Sequence, residues 1–187
     1  HHYIKYGEKE GRKCNLDSFK NFYNLESNKS INQNVLDIDI NNIPENRINI
    51  LIRNCYRPNL FKECIESILD QDYRNLRILI SYDNNKCLEY LNDYNDYRIE
   101  KYFVDIQGGK YKYELYSNFL KDKVDNGFIM FLDDDDKFIN KNALKIINSY
   151  VKNDNDLILW NFLRPDRIVR PKVPATAWRT ACCFVCE

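Results

Sequence analysis

An apolar run that ends in four consecutive aspartates constrains this chain most. The run is Phe128–Leu132, and Asp133–Asp136 follow it directly. Unbroken apolar residues of this length are typical of a strand buried on both faces, so the aspartates lie where the strand leaves its sheet. Adjacent carboxylates repel one another, and a folded protein keeps them together when solvent screens them or a cation neutralises them. The sequence therefore indicates either a solvated acidic turn or a cation site at a sheet edge.

The order of the aspartates favours a metal site. In an extended backbone successive side chains alternate, so Asp133 and Asp135 would face one way and Asp134 and Asp136 the other. Mg²⁺ and similar hard cations take carboxylate oxygens, keep several waters and complete their shell with substrate phosphates. We therefore expect a divalent cation at Asp133 and Asp135, at the carboxyl edge of an open α/β sheet.

Composition narrows the classes of protein and partner. The 187 residues suffice for one domain with an appendage, and 28 basic residues balance 28 acidic ones. This neutrality predicts no nucleic-acid partner.

No apolar run approaches the length of a membrane span, and no signal pattern opens the chain, so we expect no membrane segment. The seven cysteines show no paired metal-ligand spacing, which favours reduced thiols and a cytoplasmic location.

Strand and helix patterns alternate from residue 47 onward. Periodic apolar residues predict helices that begin at Pro58, after Gly109 and near Lys141, the last of them capped by Asn140. This alternation predicts an α/β fold, with a doubly wound, mostly parallel sheet and helices on both faces. The helix after Gly109 would turn four apolar residues inward: Leu115, Tyr116, Phe119 and Leu120. Apolar runs predict five strands, at 48–52, 76–80, 99–104, 128–132 and 157–162.

Two segments flank this unit. Residues 1–46 are polar and weakly periodic, and their turn-rich end predicts an appendage and linker before a domain over 47–174. The tail 175–187 holds both threonines of the chain, three of its four alanines, and no Asn, Ile, Lys or Tyr. We expect this tail to be non-native and the domain to be truncated on its C-terminal side. The alternative is a genuine strand of unusual composition.

Four motifs follow one another between residues 47 and 140. They are Ile50–Pro58, Cys64–Tyr73, Ile78–Asp83 and the apolar run with its four aspartates, residues 128–136. In order and spacing they resemble the nucleotide-binding half of the GT-A glycosyltransferases of the family 2 type. The resemblance implies a GT-A, Rossmann-like fold and the transfer of a sugar from a nucleotide-sugar, with UDP as the expected nucleotide, to a protein or glycan acceptor.

A narrower resemblance concerns three segments, 51–58, 80–83 and 160–166. They look most like the transferase domain of giant-virus enzymes that glycosylate hydroxylysine in collagen-like proteins. This resemblance implies a viral protein with a collagen-like acceptor, located in the host cytoplasm or in the virion.

The family resemblance also implies roles for single residues outside the acidic strand. Asp83 would accept a hydrogen bond from uracil, and the turn with Asn54, Tyr56 and Arg57 would lie along the base and ribose. Lys112 would face the nucleotide and offset diphosphate charge. Simpler alternatives stay open, because Asp83 also suits a turn, Lys112 a solvated helix position and Arg57 a helix start.

Asp133, Asp134 and Asp135 match the family's D-x-D motif. Asp135 would coordinate Mn²⁺ or Mg²⁺, and Asp133 would approach the metal or the ribose. Asp134 belongs to the same donor-binding motif, and Asp136 would support its neighbours. The metal would act as a Lewis acid on the departing nucleoside diphosphate.

The chain departs from the family pattern at three points. Many members carry two acidic residues after the second strand, where this chain has Tyr82-Asp83. Many carry Arg-Asn in the helix before the D-x-D motif, where this chain has Ser117-Asn118. An inverting transferase also needs a downstream carboxylate as base, and the candidates are Asp156 and Asp166. Asp166 is more typical of a turn, so the catalytic base is unassigned.

Two other functions stay open. The first is a non-catalytic nucleotide-sugar-binding or scaffolding module of a larger enzyme, which the missing base favours and the intact pair Asp133 and Asp135 opposes. The second is a nucleotidyltransferase that makes the sugar donor. Such an enzyme normally has a glycine-rich basic loop after the first strand, and residues 54–57 contain no glycine.

Overall fold

The computed structural model describes residues 40, 42–105, 113–154, 158, 162–164, 167–169 and 183–185. Contacts within the chain define two units. One comprises Ile40–Leu159 and Ala181–Glu187, and the other comprises His1–Asp39 and Trp160–Thr180.

Seven strands and four α-helices are described. In chain order the strands are β1 Ile48–Arg53, β2 Leu76–Tyr82, β3 Ile99–Phe103, β4 Phe128–Asp133, β5 Phe162–Arg164, β6 Arg167–Val169 and β7 Cys183–Val185. The helices are α1 Pro58–Leu69, α2 Leu88–Leu91, α3 Tyr113–Lys121 and α4 Ala143–Tyr150, and a single 3₁₀ turn over Asn85–Cys87 precedes α2.

The main sheet has the strand order β3-β2-β1-β4-β7. The first four strands pair in parallel, and β7 pairs antiparallel with β4. From β1 the chain moves outward to β2 and β3 on one side, then crosses to β4 on the other side. The strand order therefore reverses between β1 and β4, which is where open α/β sheets bind ligands. The prediction of an α/β fold with a mostly parallel sheet is confirmed.

The central strands and α1 form the core. Pro58 supplies a fixed φ at the first helical position, and four apolar residues of α1 are buried. Parallel strands covered on both faces read as continuous apolar runs, which fits β1 and β2. Fully buried members of this core are Ile50, Ile52, Phe61, Cys64, Ile65, Ile68, Ile78 and Ile80.

Two helices differ in detail from their predictions. On α3, Tyr116 and Leu120 are buried as expected, but Leu115 is 43% exposed, so it lies outside the inward stripe. α4 begins at Ala143 rather than at residue 141. Asn140 does not cap this helix, because its side chain instead accepts a hydrogen bond of 2.8 Å from the Asn142 amide and closes the preceding turn.

Gly127 sets the entry into β4. Its φ of +88° is open to glycine, and a Cβ atom there would lie 2.5 Å from the carbonyl oxygen of Arg47. That same carbonyl accepts a 2.8 Å hydrogen bond from the amide of Phe128. Close backbone approach at Gly127 thus starts the pairing of β4 with β1.

The segment before β1 is tied to the domain by hydrogen bonds. Asn148 on α4 accepts from the amide and the side chain of Asn46, and it donates to the Pro44 carbonyl. Tyr73 donates to the Asn46 carbonyl at 2.6 Å. Glu45 accepts from the two backbone amides that precede β2. Residues 44–46, predicted as part of a linker, are therefore held against the folded unit.

The remaining strands lie near the C-terminal end. β5 and β6 form an antiparallel sheet of two strands, whereas the sequence predicted a strand over 157–162; most of that range lies outside the described residues. β7 lies within the tail 175–187 and pairs Met130 with Cys183. Of the appendage predicted over 1–46, residues 1–39 lie outside the residues that the structure describes. Among the described helices, none has the length and apolar character needed to cross a bilayer.

Candidate functional site

The carboxyl ends of three parallel strands meet at one edge of the sheet. The register places Arg53 of β1 beside Ser81 of β2 and Asp133 of β4. The loops that follow these strands carry nearly all the residues singled out from the sequence. The parallel pairing therefore gathers them at the crevice where the strand order reverses.

Asp134 anchors the loop after β1 to the loop after β4. It has no exposed surface, and it accepts a 2.8 Å hydrogen bond from the Cys55 amide. Its other oxygen accepts from a terminal nitrogen of Arg57, whose second terminal nitrogen lies 2.6 Å from Asp135 Oδ2. Asp134 was expected in the donor site, but a side chain with no exposed surface cannot contact a nucleotide in this conformation. In this structure it serves as an internal anchor.

The Arg57 guanidinium is held between two carboxylates. Loss of hydration alone would lower its pKa, but the hydrogen bonds and charges of Asp134 and Asp135 outweigh that loss and raise its pKa above the ordinary value. Its Nε is buried and has no hydrogen-bond partner in the described part of the chain. Arg57 is therefore a cation that two carboxylates hold between the loops after β1 and β4.

Asp133 and Asp135 are the accessible carboxylates of the D-x-D motif, with 63% and 36% of their side-chain surface exposed. The Asp136 amide donates a 3.0 Å hydrogen bond to the Asp133 carbonyl, so the backbone turns after β4 instead of staying extended. In this turn Asp133 and Asp135 are exposed and Asp134 is buried. Asp136 is exposed as well, so the four side chains do not follow the alternation predicted for an extended backbone.

The pKa of Asp133 depends on its hydration and on the charges around it. Although solvent reaches the side chain, surrounding protein atoms remove part of its hydration, which raises its pKa from the ordinary value. The charge of Arg53 opposes this rise, and a terminal nitrogen of Arg53 lies 3.7 Å from Asp133 Oδ1. The neighbouring charges of Asp135 and Asp134 act in the same direction as the loss of hydration.

The residues present fit a Mg²⁺ or Mn²⁺ ion that shares its shell with a ligand. Among the described residues no group of three or more His, Cys, Asp or Glu side chains converges on one point. Asp133 and Asp135 offer two accessible carboxylates next to each other, and such cations commonly use one or two carboxylates with waters and phosphates. The pair suits that mode and does not suit an all-protein cage.

The loop after β1 has a buried end and an exposed end. Asn54 is 2% exposed, and its side-chain oxygen accepts a 2.7 Å hydrogen bond from Tyr90. Tyr56 is 42% exposed. Its backbone φ is +52°, in the left-handed region that residues other than glycine rarely adopt. Both residues were expected along the base and ribose. The structure presents Tyr56 to solvent and uses the Asn54 side chain to hold the loop.

Asp83 follows β2 directly and is exposed. The hydroxyl of Tyr116 donates a 2.7 Å hydrogen bond to Asp83 Oδ2. Tyr116 is 6% exposed, and burial together with this hydrogen bond raises its pKa to about 12. The phenol therefore stays protonated at neutral pH and is the donor in this contact.

Some sequence-predicted residues are not placed. Lys112 and Asp166 lie outside the described residues, so their assignments stay predictions. Tyr90, Tyr116 and the Cys55 amide were not predicted at the site. The pattern showed Tyr116 only as a member of an apolar helix face, and a backbone amide such as that of Cys55 leaves no signal in the side-chain pattern.

This chain is distantly similar to several solved structures. Staphylococcus aureus TarS 1–349 in complex with UDP-GlcNAc is 20% identical with a TM-score of 0.45, over 53% of this chain and 29% of that chain. The mannosyltransferase PcManGT from Pyrobaculum calidifontis, in complex with GDP-Man and Mn²⁺, is 13% identical with a TM-score of 0.49, over 66% of this chain and 38% of that chain. At these identities and TM-scores, the similarity says nothing about the function of this chain.

The chain spans less than two fifths of the length of these structures. No individually curated protein matches it. The family whose description is "Glycosyl transferase family 2" matches residues 48–182, which include the whole parallel sheet and the acidic motif. The match extends over most of the chain and confirms the family indicated by the four sequence motifs. This chain belongs to glycosyl transferase family 2.

Proposed function

We propose that this chain is the donor-binding core of a metal-dependent glycosyltransferase that uses a UDP-sugar and transfers the sugar to a protein or glycan acceptor. The accessible pair Asp133 and Asp135, at the reversal of strand order, carries the proposal. Family membership supports the same reaction class.

Asp133 and Asp135 would hold Mn²⁺ or Mg²⁺ in this function. The bound metal supplies charge neutralisation of the departing diphosphate. Arg57, which touches Asp135 at 2.6 Å, keeps that carboxylate oriented before a donor arrives. Arg53, next to Asp133, adds positive charge at the same edge and would attract phosphate.

The nucleoside would lie across the ends of β1 and β2. Tyr56 offers an exposed ring for stacking, and Asp83 offers a carboxylate to an N–H of the base. Lys112 is proposed beside the diphosphate. These assignments rest on the family resemblance, and the exposure of Tyr56 and Asp83 supports two of them.

Acceptor and location are proposals of a different kind, because they rest on the narrower resemblance alone. That resemblance favours a collagen-like protein as acceptor and a viral source, with activity in the host cytoplasm or the virion. Asp166 is the proposed position for a catalytic base.

A second candidate function is a non-catalytic nucleotide-sugar-binding or scaffolding module. The sequence favours it at one point, because neither downstream candidate, Asp156 or Asp166, is assigned as the base that an inverting transferase needs. A transferase lacking a base would bind the donor without passing its sugar on.

Calorimetric titration of UDP with and without Mn²⁺ tests the donor site. We expect binding that depends on the metal and weakens by about tenfold or more in Asp135→Ala, since loss of a direct ligand costs at least as much as loss of its supporting partner. Asp93→Ala removes an exposed carboxylate elsewhere and should bind as the wild type does. Absence of binding by the folded wild-type chain would refute the donor site. Binding without sugar transfer by a longer chain would favour the second function.

A further inference from the structure

Tyr116 and Asp83 form a hydrogen-bonded pair at the nucleoside end of the site. Tyr116 lies on α3, which packs against β1 and β2, and Asp83 begins the loop after β2. Tyr116 is buried as a residue, whereas Asp83 is exposed. The contact of 2.7 Å thus joins a donor on a buried side chain to an exposed acceptor.

The pair fixes the orientation of the carboxylate. A free aspartate on a loop rotates about its last side-chain bond, which has a broad energy profile. Here one oxygen is held by Tyr116, and no other hydrogen bond to Asp83 occurs in the described part of the chain. Because the side chain is exposed, its second oxygen is available to accept a hydrogen bond from a ligand.

A fixed, acceptor-only group discriminates among nucleobases. An ionised carboxylate accepts hydrogen bonds and cannot donate them. Uracil presents an N–H at its third ring position, where cytosine presents a bare nitrogen that is itself an acceptor. Two acceptors facing each other leave both unpaired, and unpaired buried polar groups are costly. The two pyrimidines have the same size, so the difference lies in hydrogen bonding and not in fit.

We propose that Tyr116 is a positioning residue that orients Asp83 and so determines the preference for a base with a ring N–H, uracil in the proposed donor, over cytosine. This inference rests on the proposed function. It adds a residue outside the motifs that indicated the family, at a helix position where the pattern showed only an apolar side chain.

The first test compares the affinities for UDP and CDP, with Mn²⁺ present, in the wild type and in Tyr116→Phe. We expect the variant to bind UDP about fivefold to tenfold more weakly, because one hydrogen bond to a charged group is lost, with little change for CDP. Tyr102→Phe is the matched control, since Tyr102 also donates to a carboxylate, that of Glu100 on β3. It should leave both affinities unchanged. A UDP to CDP ratio in Tyr116→Phe equal to that of the wild type would overturn the inference.

A second test reverses the polarity of the pair. In Asp83→Asn the side-chain oxygen would accept from Tyr116, so the amide nitrogen would face the base and donate to the bare nitrogen of cytosine. We expect the UDP to CDP affinity ratio to fall by about tenfold or more relative to the wild type. Adding Tyr116→Phe to this variant should move the ratio back towards unity, because the amide can then rotate. A purely structural role of Tyr116 predicts no such shift.

The outcomes separate the two proposals. If the wild-type chain binds neither nucleotide with Mn²⁺, the proposed function fails and this inference fails with it. If UDP binds and depends on Asp135, but neither Tyr116→Phe nor Asp83→Asn alters the ratio, the proposed function stands and the role of Tyr116 is refuted. Circular dichroism of each variant checks that the fold is retained.

Discussion

Arg57 joins the interior of the protein to its accessible site. One terminal nitrogen contacts the buried Asp134 and the other contacts the exposed Asp135. A buried carboxylate needs such a partner, because taking it out of water costs several kcal/mol unless its oxygens are paired. The same side chain thus stabilises the loops after β1 and β4 and orients a proposed metal ligand.

Arg57→Met tests the stabilising part of this role. It leaves Asp134 buried with the Cys55 amide as its remaining donor, so we expect the free energy of unfolding to fall by about 3 kcal/mol. Urea denaturation measures the change. Lys62→Met, on the exposed face of α1, should cost less than about 0.5 kcal/mol. Equal stabilities of the two variants would contradict the anchoring role. Replacing Arg57 and Asp134 together by apolar residues should recover part of the loss.

For single residues, the sequence predicted features that depend on neighbours in the chain and missed contacts between distant positions. The run of aspartates predicted Asp133 and Asp135 on one side and Asp134 and Asp136 on the other. Asp133 and Asp135 are exposed and Asp134 is buried, but Asp136 is exposed too. The burial of Asp134 on Arg57 was not predictable, because those residues lie 77 positions apart in the sequence. Contacts of that range depend on the sheet register, which the pattern of one strand does not contain.

At the scale of elements, ion pairing supports the outer strand of the sheet. Arg77 on β2 donates to both carboxylate oxygens of Glu100 on β3, at 2.5 and 2.9 Å. These hydrogen bonds lower the pKa of Glu100, and loss of hydration opposes them. A carboxylate with a lowered folded-state pKa stabilises the protein above its unfolded-state pKa. That stabilisation disappears as the pH falls through the folded-state pKa.

Glu100→Gln should therefore show a stability loss that depends on pH. We expect a loss of about 1 kcal/mol at pH 7, since Glu100 is partly exposed and solvent screens the pair. As the pH falls through the lowered folded-state pKa of Glu100, the wild-type carboxylate becomes protonated, and the two proteins should become similar in stability. Urea denaturation at pH 7 and at several acidic pH values measures this. A difference of the same size at every pH would show that the charge of Glu100 is not its cause.

Elements were predicted well where apolar residues repeat and less well at their ends. The runs of β1, β2 and β4 and the stripe of α1 are dictated by burial, so the sequence carries them directly. The start of α4 depends on whether Asn140 caps a helix or closes a turn, and the same side chain can do either. The exposure of Leu115 depends on what covers that face of α3, which periodicity does not reveal.

At the scale of the whole molecule, Glu45 and Asn46 are hydrogen-bonded to the folded unit that follows them. The hydrogen bonds of Glu45 and Asn46 with Tyr73, Asn148 and the backbone before β2 hold this segment in place. The sequence suggested a linker here because Asn, Pro and Glu are common in linkers. The same residues also make good hydrogen-bond partners, and composition does not separate the two cases.

A pair of shortened chains tests whether these contacts stabilise the domain. A chain that begins at residue 47 lacks the six hydrogen bonds described above for residues 44–46. We expect it to be less stable than a chain that begins at residue 40 by about 3 kcal/mol, at roughly 0.5 kcal/mol for each lost hydrogen bond between partly exposed groups. Thermal and urea denaturation of both proteins measure the difference, and the longer chain is the control. Equal stabilities would mean that residues 44–46 contribute no stability.

The pairing of β1 with β4 also governs the order in which this molecule can acquire its site. Cys55 and Asp134 are 79 positions apart, so their contact closes a long loop, which is slow to form during folding. The loop that this contact closes contains β2, β3 and the helices between them. A partly folded chain that lacks β4 has the residues after β1 and β2 but not Asp133 and Asp135. We therefore expect the complete site to form late in the folding of each newly made molecule.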